Sequence, residues 1–341
     1  MRKQAILITG ANGEMGQGLL SLIHKNYKGC IIAIDVNPLK QSIAQFCTEN
    51  IIGDILDKNI IEQLNQKYNF EFIYHLAAIL STKAELSPQL AHRVNVTGTI
   101  NLLELAYNQG KRDNRSVKLF FPCSIAVYGF KNLKEKIEAG SVKENNYCNP
   151  TTIYGCNKLY CELLGLYYSK NYENSTLKSK VNFIDFRAIR FPGIISASTI
   201  PTSGTSDYIP EMLHYAANNK QYICFVRQET QIPFIAMPDA INAIINLMNH
   251  PKNSLDQYIY NIRAFSPTAE QFRLSLLQYF PTAKISYKVN QKRQTMLDGW
   301  PMDTDDSAAQ IAWNWKPVYN LDTCLKNYLI PNLKNLYQSE A

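Results

Sequence analysis

Residues 5–16 read AILITGANGEMG. The apolar run at 5–8 is typical of a buried parallel strand, and a helical period of apolar residues begins at residue 19. Three glycines lie between them at three-residue spacing, namely Gly10, Gly13 and Gly16. This order suits a bound pyrophosphate: the first glycine permits the tight turn, the second lets the backbone approach the phosphates, and the third lets helix and strand pack closely. An ordinary glycine-rich turn has the same spacing, so the triplet alone leaves both interpretations open.

The composition indicates a globular chain without extended charged or apolar tracts. Of the 341 residues, 46% are hydrophobic and 18% are charged. The net charge is +7, but the cations are scattered, and no basic stripe with stacking aromatics indicates nucleic-acid binding. No segment reads as a membrane span or a signal peptide. The eight cysteines include no CxxC pair, so we expect a cytoplasmic protein with reduced thiols and no bound metal.

Five strand–helix alternations predict a doubly wound parallel sheet of the Rossmann type. The predicted strands are 5–8, 30–35, 49–52, 72–76 and 117–121. We expect residues 1–190, with parts of 235–262 returning to them, to form an NAD-binding domain. A smaller, interleaved substrate domain is expected from residues 191–234 and 263–341. The fold class is therefore α/β with a C-terminal substrate domain.

Two aspartates end predicted strands where a dinucleotide lies. Asp35 follows the glycines by roughly 20 residues, the position at which this fold places a carboxylate for the adenosine ribose hydroxyls. The same carboxylate would repel a 2′-phosphate, so we expect NAD rather than NADP, with a turn or helix cap as the alternative. Asp54 ends the third strand and can accept from the adenine amino group, although an aspartate that only caps a turn is nearly as common.

Tyr154 and Lys158 carry the predicted chemistry. Residues 150–168 have a helical period, so these two side chains share one face. A tyrosine with a pKa of about 10 needs help to act as a base at neutral pH, and a nearby ammonium favours the phenolate. The lysine can also bind the nicotinamide ribose, and Ser124, at the end of the preceding strand, can hydrogen-bond the reacting oxygen. A tyrosine and a lysine four residues apart are more often an amphipathic surface pair, so the case depends on the glycine turn and Ser124.

Several further motifs accompany these residues. In the first half they are HLAA at 75–78, NVTGT at 95–99, SIAVYG at 124–129 and YGCNK at 154–158. In the second half they are DFRAIRFPGIIS at 185–196, GTSDY at 204–208, IPFIAMPDA at 232–240, DGWP at 298–301 and DSAAQIAWNWKP at 306–317. With them the chain resembles the extended short-chain dehydrogenase/reductase superfamily. Within that superfamily, its second half resembles the short-chain L-threonine 3-dehydrogenases.

The resemblance implies NAD-dependent oxidation of L-threonine at its Cβ hydroxyl to L-2-amino-3-ketobutyrate. The resemblance implies that the three glycines, the two aspartates, Tyr154 and Lys158 contact the cofactor. It implies further cofactor contacts at Asn12, Met15, Ile55, Leu76, Ala77, Ala78 and Asn95. The implied substrate contacts, beyond Ser124 and Tyr154, are Ser81, Cys123, Gly193, Thr205 and Trp300. The family usually has serine at the position of Cys123, and Thr202 and Ser203 interrupt its usual glycine run.

Three points stay open from the sequence. A nucleotide-sugar epimerase or dehydratase uses the same tyrosine, and a non-catalytic NAD-binding protein keeps the same fold. Thr205 begins an apparent helix over 206–218, whose N-terminus is a natural seat for a carboxylate, or it merely caps that helix. The long predicted helices 86–108 and 150–168 form a homodimer interface, as the resemblance implies, or simply pack on the sheet.

Overall fold

The computed structural model describes residues 2–172, 182–201 and 204–338 of the chain. Thr202 and Ser203 therefore lie outside the described residues. The chain groups into two compact units, the first comprising Met1–Cys123, Cys156–Ile189 and Ile241–Ile259 and the second Ser124–Gly155, Arg190–Ala240 and Tyr260–Ala341. Residues 124–155 thus group with the second unit, and the division into a cofactor domain and a substrate domain stays a prediction.

The described strands, in chain order, are β1 (Lys3–Thr9), β2 (Cys30–Asp35), β3 (Glu49–Ile52), β4 (Tyr68–His75), β5 (Val117–Ser124), β6 (Ser141–Val142), β7 (Ile184–Phe191), β8 (Gly193–Ile195), β9 (Tyr222–Cys224), β10 (Phe234–Ala236), β11 (Ile259–Asn261), β12 (Ile285–Tyr287) and β13 (Asp303–Thr304).

The α-helices are α1 (Glu14–Asn26), α2 (Gln41–Ala44), α3 (Lys58–Lys67), α4 (Ser81–Leu86), α5 (Pro88–His92), α6 (Gly98–Asp113), α7 (Leu133–Ala139), α8 (Ile153–Lys170), α9 (Tyr208–Ala217), α10 (Met237–Asn249), α11 (Ala269–Leu277), α12 (Gln291–Asp298), α13 (Ser307–Trp313), α14 (Leu321–Cys324) and α15 (Ile330–Gln338). Short 3₁₀ turns lie at Ile125–Val127 and Lys252–Ser254, and π-helical segments at Arg93–Thr97 and Leu325–Leu329. None of the helices in the described ranges is both long and apolar enough to cross a membrane.

The main sheet has seven strands in the order β11-β7-β5-β4-β1-β2-β3. The pairs β1–β2, β1–β4, β2–β3 and β4–β5 are parallel. The predicted α/β fold class is therefore confirmed. The strand order reverses between β1 and β4, and open α/β sheets bind ligands at the carboxyl ends of the strands at such a point. Ala5 to Ile8, the core of β1, are at most 2% exposed, as expected for a strand covered on both faces.

The described part of the second unit contains three two-stranded parallel sheets, β10–β8, β12–β9 and β13–β6. Residues 193–205 are rich in Ser, Thr, Gly and Pro, a composition that predicts a mobile loop, but the first three of them form β8. The apolar Ile194 and Ile195 pair in register with β10, and the ring of Phe234 covers Gly193. The prediction of a loop was wrong there because Ser, Thr, Gly and Pro farther along the segment dominate its composition.

The imidazole of His75 joins the ends of β1 and β4 to α6. Its Nδ1 lies 2.9 Å from the Thr9 Oγ1, and its Nε2 lies 2.9 Å from the Thr99 Oγ1. The Thr99 hydroxyl donates to the Asn95 carbonyl, while the Thr9 Oγ1 accepts from the Ala77 N–H. The chain of bonds is satisfied throughout when Nε2 carries the proton and Nδ1 accepts, which assigns a neutral ring. Burial lowers the pKa of His75 to about 3.

This buried histidine makes stability depend on pH. The pKa of His75 is lower in the folded chain than in the unfolded one, so the unfolded chain binds more protons between pH 3 and 6.5. The free energy of unfolding therefore falls as the pH drops through that window, by up to about 1.4 kcal/mol per pH unit. His75→Gln keeps polar atoms but removes the titration. Between pH 6 and 4 the wild type should therefore lose about 2 kcal/mol more unfolding free energy than His75→Gln. Urea unfolding at a series of pH values measures this difference.

His92→Gln, at an exposed position, is the matched control for loss of a histidine. It is expected to follow the wild-type dependence on pH. Equal pH slopes for the wild type and His75→Gln would contradict the assignment of a buried neutral ring.

Candidate active site

The glycine turn after β1 touches the loop after β4. Gly10 has φ +66°, and a Cβ at this position would lie 2.6 Å from the Ala77 backbone nitrogen. The Leu76 N–H donates to the Thr9 carbonyl at 3.1 Å. A side chain at position 10 would therefore be strained and would push the two loops apart, which explains the glycine in physical terms.

Helix α1 begins directly after this turn, and its N-terminus offers backbone donors. Its N-cap is Gly13, which supplies no side-chain cap. A Cβ at Gly16 would lie 2.6 Å from the Ala11 carbonyl oxygen, so the absence of a side chain lets the helix lie close to the turn. The Oδ1 of Asn12 is buried and has no hydrogen-bond partner among the described residues. Met15 lies in the first turn of α1 and is half-buried.

The two aspartates differ in their surroundings. The Asp35 carboxylate accepts from the N–H groups of Asn12 at 3.0 Å and Asn37 at 2.9 Å, one to each oxygen. These bonds fix the carboxylate beside the glycine turn and leave lone pairs on both oxygens for further donors. The Oδ1 of Asp54 accepts from the N–H of Leu56 at 3.0 Å, the same bond to the second following residue that Asp35 makes with Asn37. In both aspartates this is the local turn bond of the alternative interpretation, and Asp35 adds to it the bond to the glycine turn.

Asn95 holds the loop after β4 in place. It is 3% exposed; its Oδ1 accepts from the Ile79 N–H at 2.7 Å, and its Nδ2 donates to the Ile79 carbonyl at 2.9 Å. Ala77 and Ala78 lie half-buried in that loop. The structure therefore places Asn95 as a support for the loop. Ile55, another predicted contact, is buried, and its carbonyl accepts from the Asn101 side chain.

The residues at the carboxyl ends of β1 and β2 fit NAD. The close glycine turn, the open helix N-terminus, the unpartnered Asn12 oxygen and the fixed Asp35 carboxylate match a pyrophosphate and a ribose diol. Groups of three or more His, Cys, Asp or Glu that could hold a metal ion are absent from the described residues.

Ser124 and Tyr154 lie on segments of the second unit that pack against each other. The Ser124 Oγ accepts from the Ala126 N–H at 3.2 Å and so caps the short turn Ile125–Val127. A Cβ at Gly155 would overlap the Ala126 carbonyl oxygen, so only glycine lets α8 begin against this turn. Tyr154, in the first turn of α8, is 9% exposed.

Lys158 lies one helical turn after Tyr154 on α8. It is 3% exposed, its Nζ donates to the Pro122 carbonyl at 2.6 Å, and the ammonium lies 4.6 Å from the centre of the Phe121 ring. Burial lowers the pKa of Lys158, and the thiols of Cys123 and Cys161 act in the opposite direction. The carbonyl and the ring thus hold the ammonium that burial disfavours.

Cys123 is 2% exposed and precedes Ser124 in β5. Successive side chains in a strand point to opposite faces, so the Cys123 thiol and the Ser124 hydroxyl are directed away from each other. A direct contact of Cys123 with substrate stays a prediction.

The remaining predicted substrate residues belong to different units. Ser81, at the first position of α4, is in the first unit and is 9% exposed. Gly193, Thr205 and Trp300 are in the second unit. Trp300 is 4% exposed, and its Nε1 has no hydrogen-bond partner among the described residues.

The segment around Thr205 differs from the prediction. Helix α9 begins at Tyr208 with Asp207 at its N-cap, and residues 205–207 form a turn. The Asp207 carboxylate accepts from the Gly204 N–H at 2.6 Å, and this bond draws the chain into a turn before the helix. Thr205 therefore neither caps the helix nor lies at its first N–H groups; it is 1% exposed, with its Oγ1 3.7 Å from the Met296 sulfur.

Sequence reasoning missed three residues that support these segments. His75 was noted only as part of a motif, and Lys136 and Arg293 were not noted at all. Lys136 is 2% exposed and Arg293 contacts Gly204. Lysine and arginine are usually at the surface, so nothing in the sequence distinguishes these two from the other cations.

Comparison with known proteins places the chain in a family. The sequence pattern of the NAD dependent epimerase/dehydratase family matches residues 6–262. The chain is 32% identical to the mitochondrial L-threonine 3-dehydrogenase of Bos taurus over 340 residues, which cover 99% of this chain and 84% of that protein.

Two solved structures are similar over nearly their whole length. A monomeric L-threonine 3-dehydrogenase from a metagenome, in its apo form, is 34% identical with a TM-score of 0.85 and covers 97% of this chain and 99% of its own. The holo form of a GalE-like L-threonine dehydrogenase from Cupriavidus necator is 31% identical with a TM-score of 0.83, again with 97% and 99% covered. The chain therefore belongs to the NAD-dependent epimerase/dehydratase family, in the group of the short-chain L-threonine 3-dehydrogenases.

Proposed function

We propose that this protein oxidises L-threonine at its Cβ hydroxyl to L-2-amino-3-ketobutyrate. The observation that carries the proposal is the likeness to L-threonine 3-dehydrogenases over nearly the whole chain, including the second unit. NAD, when bound, accepts the hydride that leaves the substrate Cβ.

In the proposed mechanism, Tyr154 takes the proton of the substrate hydroxyl as the C–H bond breaks. Lys158 favours the phenolate through its positive charge, and its bond to the Pro122 carbonyl fixes the ammonium one helical turn from the base. Ser124 orients the reacting oxygen. The low exposure of both Tyr154 and Lys158 strengthens the interaction between their charges by excluding water.

The substrate is tested by turnover with NAD. L-Threonine should generate NADH, seen by absorbance, while UDP-galactose and dTDP-glucose should not be turned over. A nucleotide sugar needs groups for a base and a second pyrophosphate, whereas threonine needs a small closed pocket. Conversion of labelled UDP-glucose to UDP-galactose, without threonine-dependent NADH, would assign the protein to the epimerases instead. Binding of NAD with no turnover of either substrate would favour the non-catalytic alternative.

The base is tested by Tyr154→Phe. This change removes the proposed proton acceptor but keeps the ring, so turnover should fall by a factor on the order of 100 or more while NAD binding is largely retained. Lys158→Ala should lower turnover and weaken NAD binding together. Tyr160→Phe, on the exposed side of the same helix, is the control and should retain activity. Near-normal turnover of Tyr154→Phe refutes the assignment.

Asp35 is proposed to select NAD. Replacing it with serine removes a charged acceptor for the ribose hydroxyls and the repulsion of a 2′-phosphate, so the KM for NAD should rise about tenfold or more and the preference over NADP should narrow. The KM for L-threonine is the internal control and should not change. A wild-type enzyme that reduces NADP as efficiently as NAD would show that Asp35 has another role.

We also propose that the protein forms a homodimer through α8. The exposed side chains on one side of this helix are Cys156, Tyr160, Leu163 and Tyr167, which follow helical spacing and form an apolar stripe. One similar structure is described as monomeric, so the stripe, not the family, carries this proposal.

Leu163→Glu should convert the dimer to a monomer, because it buries a charge in the interface, as measured by light scattering. Leu274→Glu, at a similarly exposed leucine on α11, is the control. A wild-type monomer at micromolar concentration would contradict the proposal.

A cytoplasmic location remains part of the proposal. The eight cysteines, which all lie in the described residues, form no disulfide bond there, as expected in a reducing compartment. The bovine relative carries "mitochondrial" in its name, and fractionation of the source cells distinguishes the two compartments.

A further inference from the structure

Helix α12 links two of the predicted substrate residues within the second unit. Met296, on this helix, contacts Thr205 through its sulfur. Trp300 lies two residues after the end of the helix. Its backbone N–H donates to the carbonyl of Leu297, in the last turn of the helix, at 3.1 Å. A change in the position of α12 would therefore move both Thr205 and Trp300.

Arg293 ties α12 to Gly204, the residue before Thr205. Its guanidinium donates to the Gly204 carbonyl, lies 3.6 Å from the Glu211 carboxylate on α9 and stacks over the ring of Phe225. The N–H of Gly204 is held at the same time by Asp207 at 2.6 Å. Both backbone groups of the residue before Thr205 are thus hydrogen-bonded, so Thr205 has little freedom to move.

Lys136 holds the C-terminal end of α12. This lysine of α7 is 2% exposed, and its Nζ donates to the same Leu297 carbonyl at 2.8 Å that receives the Trp300 N–H. Burial lowers the pKa of Lys136 to about 8, with the Arg227 charge acting in the same direction and Asp298 opposing both. A cation at the C-terminal turn of a helix also complements the helix dipole.

Polar side-chain bonds also hold the second half of the helix. Asp298 accepts from Arg227 at 2.6 Å and from Gln294 at 2.8 Å. The fully buried Gln294 accepts from the Arg227 N–H at 2.8 Å and from the Thr230 hydroxyl at 3.1 Å. An eight-residue helix with this many directional bonds keeps one position, since moving it leaves buried polar groups unpaired.

We propose that α12 sets substrate selectivity by fixing the spacing between Thr205 and Trp300, with Arg293 and Lys136 as its positioning residues. The inference rests on the proposed function, because it assumes that Thr205 and Trp300 bind the substrate. Neither cation touches the reacting atoms; each acts through the backbone segment that it holds.

The test measures selectivity rather than activity alone. Arg293→Gln removes the charge and the fork of donors, and Lys136→Met keeps the length but removes the bond to Leu297. Each should raise the KM for L-threonine with little change in kcat or in the KM for NAD. Each should also lower the preference for L-threonine over the analogue with one more methylene by about tenfold, the scale at which pockets discriminate a methylene.

The matched control is Arg273→Gln. Arg273 forms a similar pair with Glu270 on α11, and its side chain is 24% exposed against 20% for Arg293. This variant should keep the wild-type KM and selectivity. If Arg293→Gln fails to fold, Arg293→Lys, which retains the charge and one donor to Gly204, should show an intermediate loss of selectivity.

The outcomes separate the two proposals. A wild type that does not oxidise L-threonine refutes the proposed function and this inference with it. If the wild type oxidises L-threonine but the Arg293 and Lys136 variants have the same KM and selectivity as Arg273→Gln, only the role of α12 is refuted.

Discussion

The hydrogen-bond chain through the neutral His75 holds together the edge at which the cofactor is expected. It joins the Ala77 N–H, the Thr9 hydroxyl, the imidazole and the Thr99 hydroxyl in one direction of donation. Because Thr9 precedes the glycine turn and Ala77 lies in the loop after β4, one buried ring fixes both segments. A protonated imidazole carries N–H groups on both nitrogens and cannot accept from the Thr9 hydroxyl, so the positions of the glycine turn and the loop after β4 depend on Nδ1 being unprotonated.

The second unit holds its predicted substrate residues by a different kind of interaction. Charged side chains, Arg293 and Lys136, hold backbone carbonyls there, whereas the neutral side chains of Thr9, His75 and Thr99 join the glycine turn to the loop after β4. Charged donors make stronger bonds to carbonyls and cost more to bury. Such contacts tolerate less change in position, which suits a pocket that must distinguish substrates differing by one carbon atom.

The sequence predicts the first unit better than the second. The bounds of β2 and β3 agree with the prediction, because Asp35 at the end of β2 and Gly53 directly after β3 give clear limits. Helix α3 begins one residue after the Asp57 that caps it. In the second unit, by contrast, β8 was read as a loop and α9 starts later than predicted. Its strands have two or three residues, too few to give a period, and they are stabilised by contacts such as Phe234 on Gly193.

The site residues also differ in whether the sequence alone predicts their roles. The glycines, Asp35, Tyr154 and Lys158 follow from spacing, because backbone geometry relates positions close in the chain. The roles of Asn95, His75 and Arg293 depend on partners between 16 and 89 residues away, and no local pattern gives those pairings. The burial of a charged side chain is likewise a property of the folded chain.

The π-helical segment Arg93–Thr97 has a consequence for how this chain tolerates change in length. It contains Asn95, and it joins α5 to α6 without a break. A π-helical turn holds one residue more than an α-helical turn, so deleting one residue here would regularise the helix and leave α5 and α6 aligned, but it would change the direction of the side chains within the segment. Asn95 would then no longer face Ile79 while Thr99 still faced His75. In an evolving lineage, loss of a single codon in this segment would therefore separate the support of the β4 loop from the support of the strands, although every side chain involved would still be encoded.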